Sequence, residues 1–238
     1  MPDSDSHVLD GKVAVITGAS RGIGRSLAEH FAAAGARVAI CGRHEETIKR
    51  VAAEIAAKNP RHEVLWVRCD VTDFSHVRKL HAEVDAKLGV PDILVNNAGS
   101  VARMRLDEMS EAIWDEVVSS NLKSVFNVTR AFLPQMRSRG SGRILNIASI
   151  SGKEGTPRLT AYCAAKHGVI GLTRALAEET RDVGIQVNAI CPGSVDTEML
   201  KGSGFAPQMK PDDVANVALY LAAYAPAALT GSCIDVFG

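Results

Sequence analysis

The chain has 238 residues, 46% of them hydrophobic, enough for one compact domain with a large core. Lys and Arg together number 27, as do Asp and Glu, so the formal charge is zero and no basic footprint for nucleic acid or an anionic membrane stands out. No apolar run reaches the roughly 18 residues that span a bilayer, and the five cysteines are scattered without a C-x-x-C pair, which reads as buried thiols in a reducing cytoplasm and not as a disulfide framework or metal site.

The polar, acidic start "MPDSDSHVLDG" lacks a basic-then-apolar signal pattern and reads as a flexible tail over 1–10, leaving 11–238 as a single domain. From there strand and helix patterns alternate. "KVAVIT" (12–17) is a continuous apolar run, as a strand covered on both faces requires. A helix follows over about 22–34, stopped at Gly35, then the strand "RVAIC" (37–41). The stretch 44–58 places Ile48, Val51, Ala52 and Ile55 at i, i+3, i+4, i+7, the spacing of an amphipathic helix. Next come the strand 63–69, a helix over about 73–88, the strand 92–96 and one long helix over about 110–138. The series ends with the strand 143–149, a helix over about 160–181, the strand 185–191, a helix over about 211–224 and the strand 232–237. About seven strands joined by right-handed helical crossovers predict an α/β fold, a Rossmann-like doubly wound parallel sheet with helices on both faces. Ligands on such sheets bind beyond the carboxyl ends of the strands, where the strand order switches.

The first strand delivers "TGASRGIG" (17–24) to that crevice. Gly18 permits a sharp turn, Gly22 a close approach of backbone to a pyrophosphate, and Gly24 tight packing of the new helix, whose N-terminus presents N–H groups and a positive dipole end to phosphate. The spacing G-x-x-x-G-x-G departs from the G-x-G-x-x-G fingerprint, and a plain turn is the alternative; the position in the first crossover favours the phosphate seat. At the end of the second strand, where an acid would hold an NAD ribose hydroxyl, "ARVAICGR" (36–43) has none. Gly42 and Arg43 stand there instead, and Arg21 approaches from the glycine loop, so the two arginines read as a clamp on the 2′-phosphate of NADP(H), with two solvated arginines as the alternative.

"YCAAK" places Tyr162 and Lys166 four apart on one helix face. A nearby ammonium lowers a phenol pKa and readies it for proton transfer, and Ser149, at the end of the fifth strand, puts a hydroxyl in the same crevice.

These motifs, together with "CDV" (69–71), "NNAG" (96–99), Asn121 in "SSNLKSVFN" and "CPGSVDT" (191–197), resemble the short-chain dehydrogenase/reductase family in order and spacing across nearly the whole chain. The resemblance implies Tyr162 as general acid, Lys166 on the nicotinamide ribose, Ser149 on the substrate carbonyl and Asn121 holding the water of a proton relay. It further implies a cofactor site built from Gly18, Ser20, Arg21, Gly22, Ile23, Gly24 and Arg43. Asp70 and Val71 would lie at the adenine, and Asn97, Ala98 and Gly99 along the cofactor. Tyr162 and Lys166 would reach the nicotinamide end, with Pro192, Gly193, Val195 and Thr197 at its amide.

The nearest branch is that of 3-oxoacyl-(acyl carrier protein) reductases and carbonyl reductases. Against it, the segment "LKGSGFAPQM" (200–209) is shorter than many helical substrate lids of that branch. The expected activity is NADP(H)-dependent hydride transfer between NADPH and a carbonyl or secondary alcohol, on a 3-oxoacyl thioester or ketone. An NAD-dependent alcohol dehydrogenase of the same family and a non-catalytic NADP(H)-binding module are the alternatives. The expected partners are a small-molecule substrate and further copies of the chain, as a tetramer or dimer, with no nucleic acid, membrane or metal.

Overall fold

The computed structural model describes residues 7–61 and 63–237. Its centre is a seven-stranded sheet in the order β3-β2-β1-β4-β5-β6-β7, every pairing parallel. The strands are β1 (Val13–Thr17), β2 (Arg37–Gly42), β3 (Val64–Arg68), β4 (Ile93–Asn96), β5 (Gly142–Ile147), β6 (Ile185–Pro192) and β7 (Cys233–Val236). The helices are α1 (Gly22–Ala33), α2 (Glu45–Lys58), α3 (Phe74–Lys87), α4 (Glu111–Val118), α5 (Ser124–Arg139), α6 (Thr160–Thr180) and α7 (Pro211–Ala223).

The period of two along β1 divides the core. Ala14 and Ile16 face a layer made by α1, α2 and α7, while Val13 and Val15 face a layer made by α3, α5 and α6. Phe31 anchors the first layer and Phe132 the second, both fully buried, each contributing about 1.5–3 kcal/mol by burial. Strand order reverses at β1, which pairs with β2 on one side and β4 on the other, so a crevice opens at the carboxyl ends of β1 and β4.

Three expectations change. The single helix expected over 110–138 is interrupted by a π-helical turn, Ser119–Lys123, between α4 and α5. The cause is local competition for carbonyls: Asn121 Nδ2 donates to Val117 O at 2.8 Å and Ser124 Oγ donates to Ser120 O at 2.7 Å, the two acceptors that a regular helix gives to backbone N–H groups. The strand expected to end at Ser149 ends at Ile147, because the Ser149 hydroxyl accepts from Ser151 N at 3.1 Å and caps a short 3-10 turn, Ile150–Gly152. Of the tail expected over 1–10, residues 1–6 lie outside the described residues, and Leu9 is buried with its N–H donated to Ala34 O at 2.8 Å. The packed body therefore includes Leu9, ahead of the boundary expected at residue 11.

Candidate active site

A cleft of about 1230 Å³ runs across the carboxyl ends of the strands. Its floor is the glycine loop. Gly18 has φ +65°, and a Cβ there would lie 2.8 Å from the Ala98 Cα; Gly22 has φ +55° and sits against Thr197, whose Cγ2 would be 3.2 Å from such a Cβ. Both positions require glycine on conformation alone. Gly24 packs against the backbone of Gly18 itself, which fixes the angle at which α1 leaves the loop. Arg21 occupies the N-cap of α1 in an extended conformation without a side-chain cap, and no acid lies in the first turn, so the helix end keeps its N–H groups and positive potential for the cleft.

One end of the cleft is lined by Ser20, Arg21, Gly42, Arg43, His44, Asp70 and Val71. Arg21 and Arg43 are exposed, and no ion pair involves either among the described residues. Asp70, which the resemblance assigns to an adenine, spends Oδ1 on its own turn, accepting from Thr72 N (3.0 Å) and Thr72 Oγ1 (2.8 Å). Asn97 is likewise turned inward: its amide donates to Thr17 O (2.9 Å) and Gly18 O (3.2 Å), bracing the glycine loop against β4.

At the other end α6 brings Tyr162 and Lys166 beside Ser149. All three are buried or nearly so. Lys166 Nζ donates to Ile147 O at 2.7 Å and lies 5.6 Å from the centroid of the Tyr162 ring. Burial pulls the Lys166 pKa down to about 8. For Tyr162 burial is again the largest influence and pushes the phenol up; the nearby Ser149 hydroxyl and the charge of Arg103 pull it back. Lys166 is not among these influences; its ammonium is directed at the Ile147 carbonyl. Asn121 is fully buried; Nδ2 also donates to Ser100 O at 2.7 Å, while Oδ1 has no hydrogen-bond partner among the described residues. Gly99 separates it from Lys166: a Cβ there would lie 2.5 Å from Asn121 Oδ1 and 3.8 Å from Lys166 Nζ, so the absent side chain leaves both groups access to the same space.

Pro192, Gly193, Val195 and Thr197 line the wall between the two ends, and Val195 forms an isolated bridge to Met209. The segment between them carries turns and no helix, as its shortness suggested. The cleft thus gathers Gly18, Ser20, Arg21, Gly22, Ile23, Gly24, Arg43, Asp70, Val71, Asn97, Ala98, Gly99, Ser149, Tyr162, Lys166, Pro192, Gly193, Val195 and Thr197. Asn121 stands just behind it, next to the lining residue Ser120.

Several residues escaped the sequence reading. Thr17 Oγ1 accepts from Asn97 N (3.0 Å) and Ala98 N (3.1 Å), joining the ends of β1 and β4; a lone hydroxyl closing an apolar strand was its only signal. Behind the site a buried chain runs from Asn96 Nδ2 to Asn146 Oδ1 (2.8 Å) and from Asn146 Nδ2 to Thr173 Oγ1 (2.9 Å), linking β4, β5 and α6 through residues far apart in sequence. Arg103 had no motif to mark it. Among the described residues no cluster of three or more His, Cys, Asp or Glu could hold a metal ion, and no helix is long and apolar enough to cross a membrane.

Comparison with known proteins agrees with this geometry. The chain is 37% identical over 245 residues to a 3-oxoacyl-(acyl-carrier-protein) reductase of Chlamydia muridarum, covering 98% of each chain. It is 36% identical over 252 residues to a D-beta-hydroxybutyrate dehydrogenase of Rhizobium meliloti, covering 95% of this chain and 97% of that one. Among solved structures, an actinorhodin polyketide ketoreductase variant crystallised with NADPH superposes with a TM-score of 0.90 at 35% identity, over 95% of this chain and 96% of that one. A profile of the short chain dehydrogenase family matches residues 12–206. With the sheet order, the glycine loop and the Ser149, Tyr162 and Lys166 cluster in place, the chain belongs to the short-chain dehydrogenase/reductase family of oxidoreductases.

Proposed function

We propose that the protein reduces the carbonyl group of a 3-oxoacyl thioester or ketone to the secondary alcohol with NADPH as reductant. The observation that carries this reading is the pairing of two ends in one cleft: Ser149, Tyr162 and Lys166 at one, and at the other two exposed arginines that form no ion pair among the described residues.

The residues present fit a dinucleotide. The left-handed glycines leave the loop without side chains, the α1 terminus has no side-chain cap, and Gly42 puts no carboxylate beside Arg43. Gly18, Ser20, Arg21, Gly22, Ile23 and Gly24 would hold the pyrophosphate, Arg21 and Arg43 the 2′-phosphate, and Lys166 the nicotinamide ribose. The chemistry a reduced nicotinamide supplies at this site is a hydride for the carbonyl carbon.

Tyr162 gives its proton to the carbonyl oxygen. Burial raises its pKa, which keeps the hydroxyl protonated and able to donate across the neutral range. Ser149, beside that hydroxyl, shares the substrate oxygen and fixes its position. Asn121 Oδ1 and Lys166 Nζ face one space behind Tyr162, where a water can take a hydrogen bond from Lys166, donate to Asn121 and return a proton to the phenol.

The chain works as a homo-oligomer in this reading, a tetramer or dimer. Supporting this, α5 exposes Phe126, α7 exposes Tyr220, and the residue that ends it, Tyr224, is exposed as well, apolar surface of the kind that self-complementary faces cover.

The test is turnover followed at the NADPH absorbance over β-ketoacyl thioesters, ketones, aldehydes and quinones. NADPH consumption with at least one carbonyl class, and little with NADH, is the expected result; tight NADPH binding without turnover on any class overturns it.

A further inference from the structure

We infer that Arg103 is a specificity-determining residue that receives a carboxylate on the substrate, so that the ketones this site takes are short keto acids. This rests on the reductase reading of the same cleft.

Arg103 stands four residues beyond Gly99, half-buried, in the wall of the same cleft as Tyr162. One of its terminal nitrogens donates to Met199 O at 2.6 Å, so the side chain reaches across the mouth to the segment after β6. That uses one donor of a guanidinium that has five. No carboxylate pairs with it among the described residues. Of the acids on the cleft wall, Glu198 is paired with Lys201 at 2.5 Å, Asp70 lies at the far end bonded to Thr72, and Glu154 is exposed at the rim.

The cleft lining also includes the apolar side chains of Val101, Leu159, Met199 and Phe205. A guanidinium with spare donors attracts an anion, and its planar fork matches a carboxylate. Its charge is also close enough to Tyr162 to pull the phenol pKa down. Arg103 and Tyr162 line the same cleft, so a substrate held by both carries its carboxylate and its reacting carbonyl on one small molecule. A 3-oxo or 4-oxo acid meets that condition. A thioester places an uncharged sulfur where the carboxylate would be.

The test compares acetoacetate, its methyl ester and its N-acetylcysteamine thioester as substrates with NADPH. Titration of the NADP-loaded protein with acetoacetate and with the ester gives a binding readout independent of turnover. The wild type is expected to prefer the acid in both assays. Arg103→Gln should lower kcat/KM for the acid by roughly 10- to 100-fold, chiefly through KM, and should lower the ester much less and through kcat, since the phenol loses a nearby positive charge for both substrates; Arg103→Lys, which keeps the charge, should restore part of the preference.

If Arg103 serves only to latch the cleft through Met199, acid and ester fall together, and the inference fails. If the wild type favours the ester or thioester, the inference fails while the reductase reading stands. If no carbonyl compound turns over, the reductase reading fails, and the two titrations decide the inference: equal binding of acid and ester, or binding of neither, overturns it.

Discussion

Lys166 Nζ donates to the carbonyl of Ile147, the last residue of β5, at 2.7 Å, and is buried there without an acidic partner among the described residues. One neutral acceptor does not replace the water that the ammonium loses, which is why its pKa falls to about 8 from 10.5. The sign for stability follows from linkage. Between pH 8 and 10.5 the unfolded chain binds more protons at this residue than the folded one, so stability rises with pH through that window and is lowest below it. The shift corresponds to about 3 kcal/mol. Lys166→Met keeps the volume and removes the charge. At pH 7 it should melt several degrees higher than the wild type, even after losing the bond to Ile147, and the gap should close toward pH 10. Equal gaps in Tm at the two pH values would show that buried charge is not the cost at this position.

Gly18 offers a test of the loop. Its φ of +65° and the 2.8 Å approach of a Cβ to the Ala98 Cα act together, since the strained residue cannot move away without shifting β4. A left-handed non-glycine residue costs about 1–3 kcal/mol by itself. Gly18→Ala should lower Tm by roughly 5–10 °C and abolish most NADPH binding measured by fluorescence. Unchanged affinity in a folded variant would mean that the loop is a turn and nothing more.

The order of strands and helices and most of the cleft were legible in the sequence because both follow from local pattern. The period of β1, the glycines after it and the four-residue spacing of Tyr162 and Lys166 need no tertiary knowledge. The π-helical turn at Asn121 was not legible: its cause is a side chain competing with its own backbone for Val117 O while also reaching Ser100 O, a contact set only when β4 and α4 meet. The Tyr162 pKa was legible only in part for a related reason. Spacing placed the ammonium near the ring, but the burial that pushes the phenol up belongs to the assembled cluster with Val117, Leu159 and Ala161.

Cofactor choice turns on Arg43. Arg21 and Arg43 flank the Ser20 and Gly42 end of the cleft, and a Cβ at Gly42 would meet nothing closer than 3.6 Å, so the absence of an acid there reflects no lack of room. Arg43→Asp should weaken NADPH binding by about tenfold or more, the size of one exposed charged hydrogen bond with added repulsion, and leave NADH unchanged or tighter. The ratio of the two dissociation constants, measured by fluorescence titration, is the readout. A ratio that does not move removes Arg43 from cofactor selection.

The proton donor gives the sharpest prediction. Tyr162→Phe removes one oxygen and keeps the ring in its cluster with Leu159 and Ala161, so fold and NADPH binding should remain close to those of the wild type. General acid catalysis is worth about 10²–10⁴-fold, or roughly 3–5 kcal/mol of barrier, and turnover should fall by at least that much. Ser149→Ala should act through the same hydroxyl. The Ser149 hydroxyl pulls the phenol pKa down against burial, so its loss leaves a weaker acid as well as an unheld carbonyl. Carbonyl reduction by this variant should slow at every pH, and its decline at alkaline pH should begin higher than in the wild type. The measurements are pH–rate profiles and NADPH titrations for both variants on the best carbonyl substrate. Near-normal turnover by Tyr162→Phe would take the proton donor away from Tyr162 and, with it, the reason for the Ser149 and Lys166 arrangement around it.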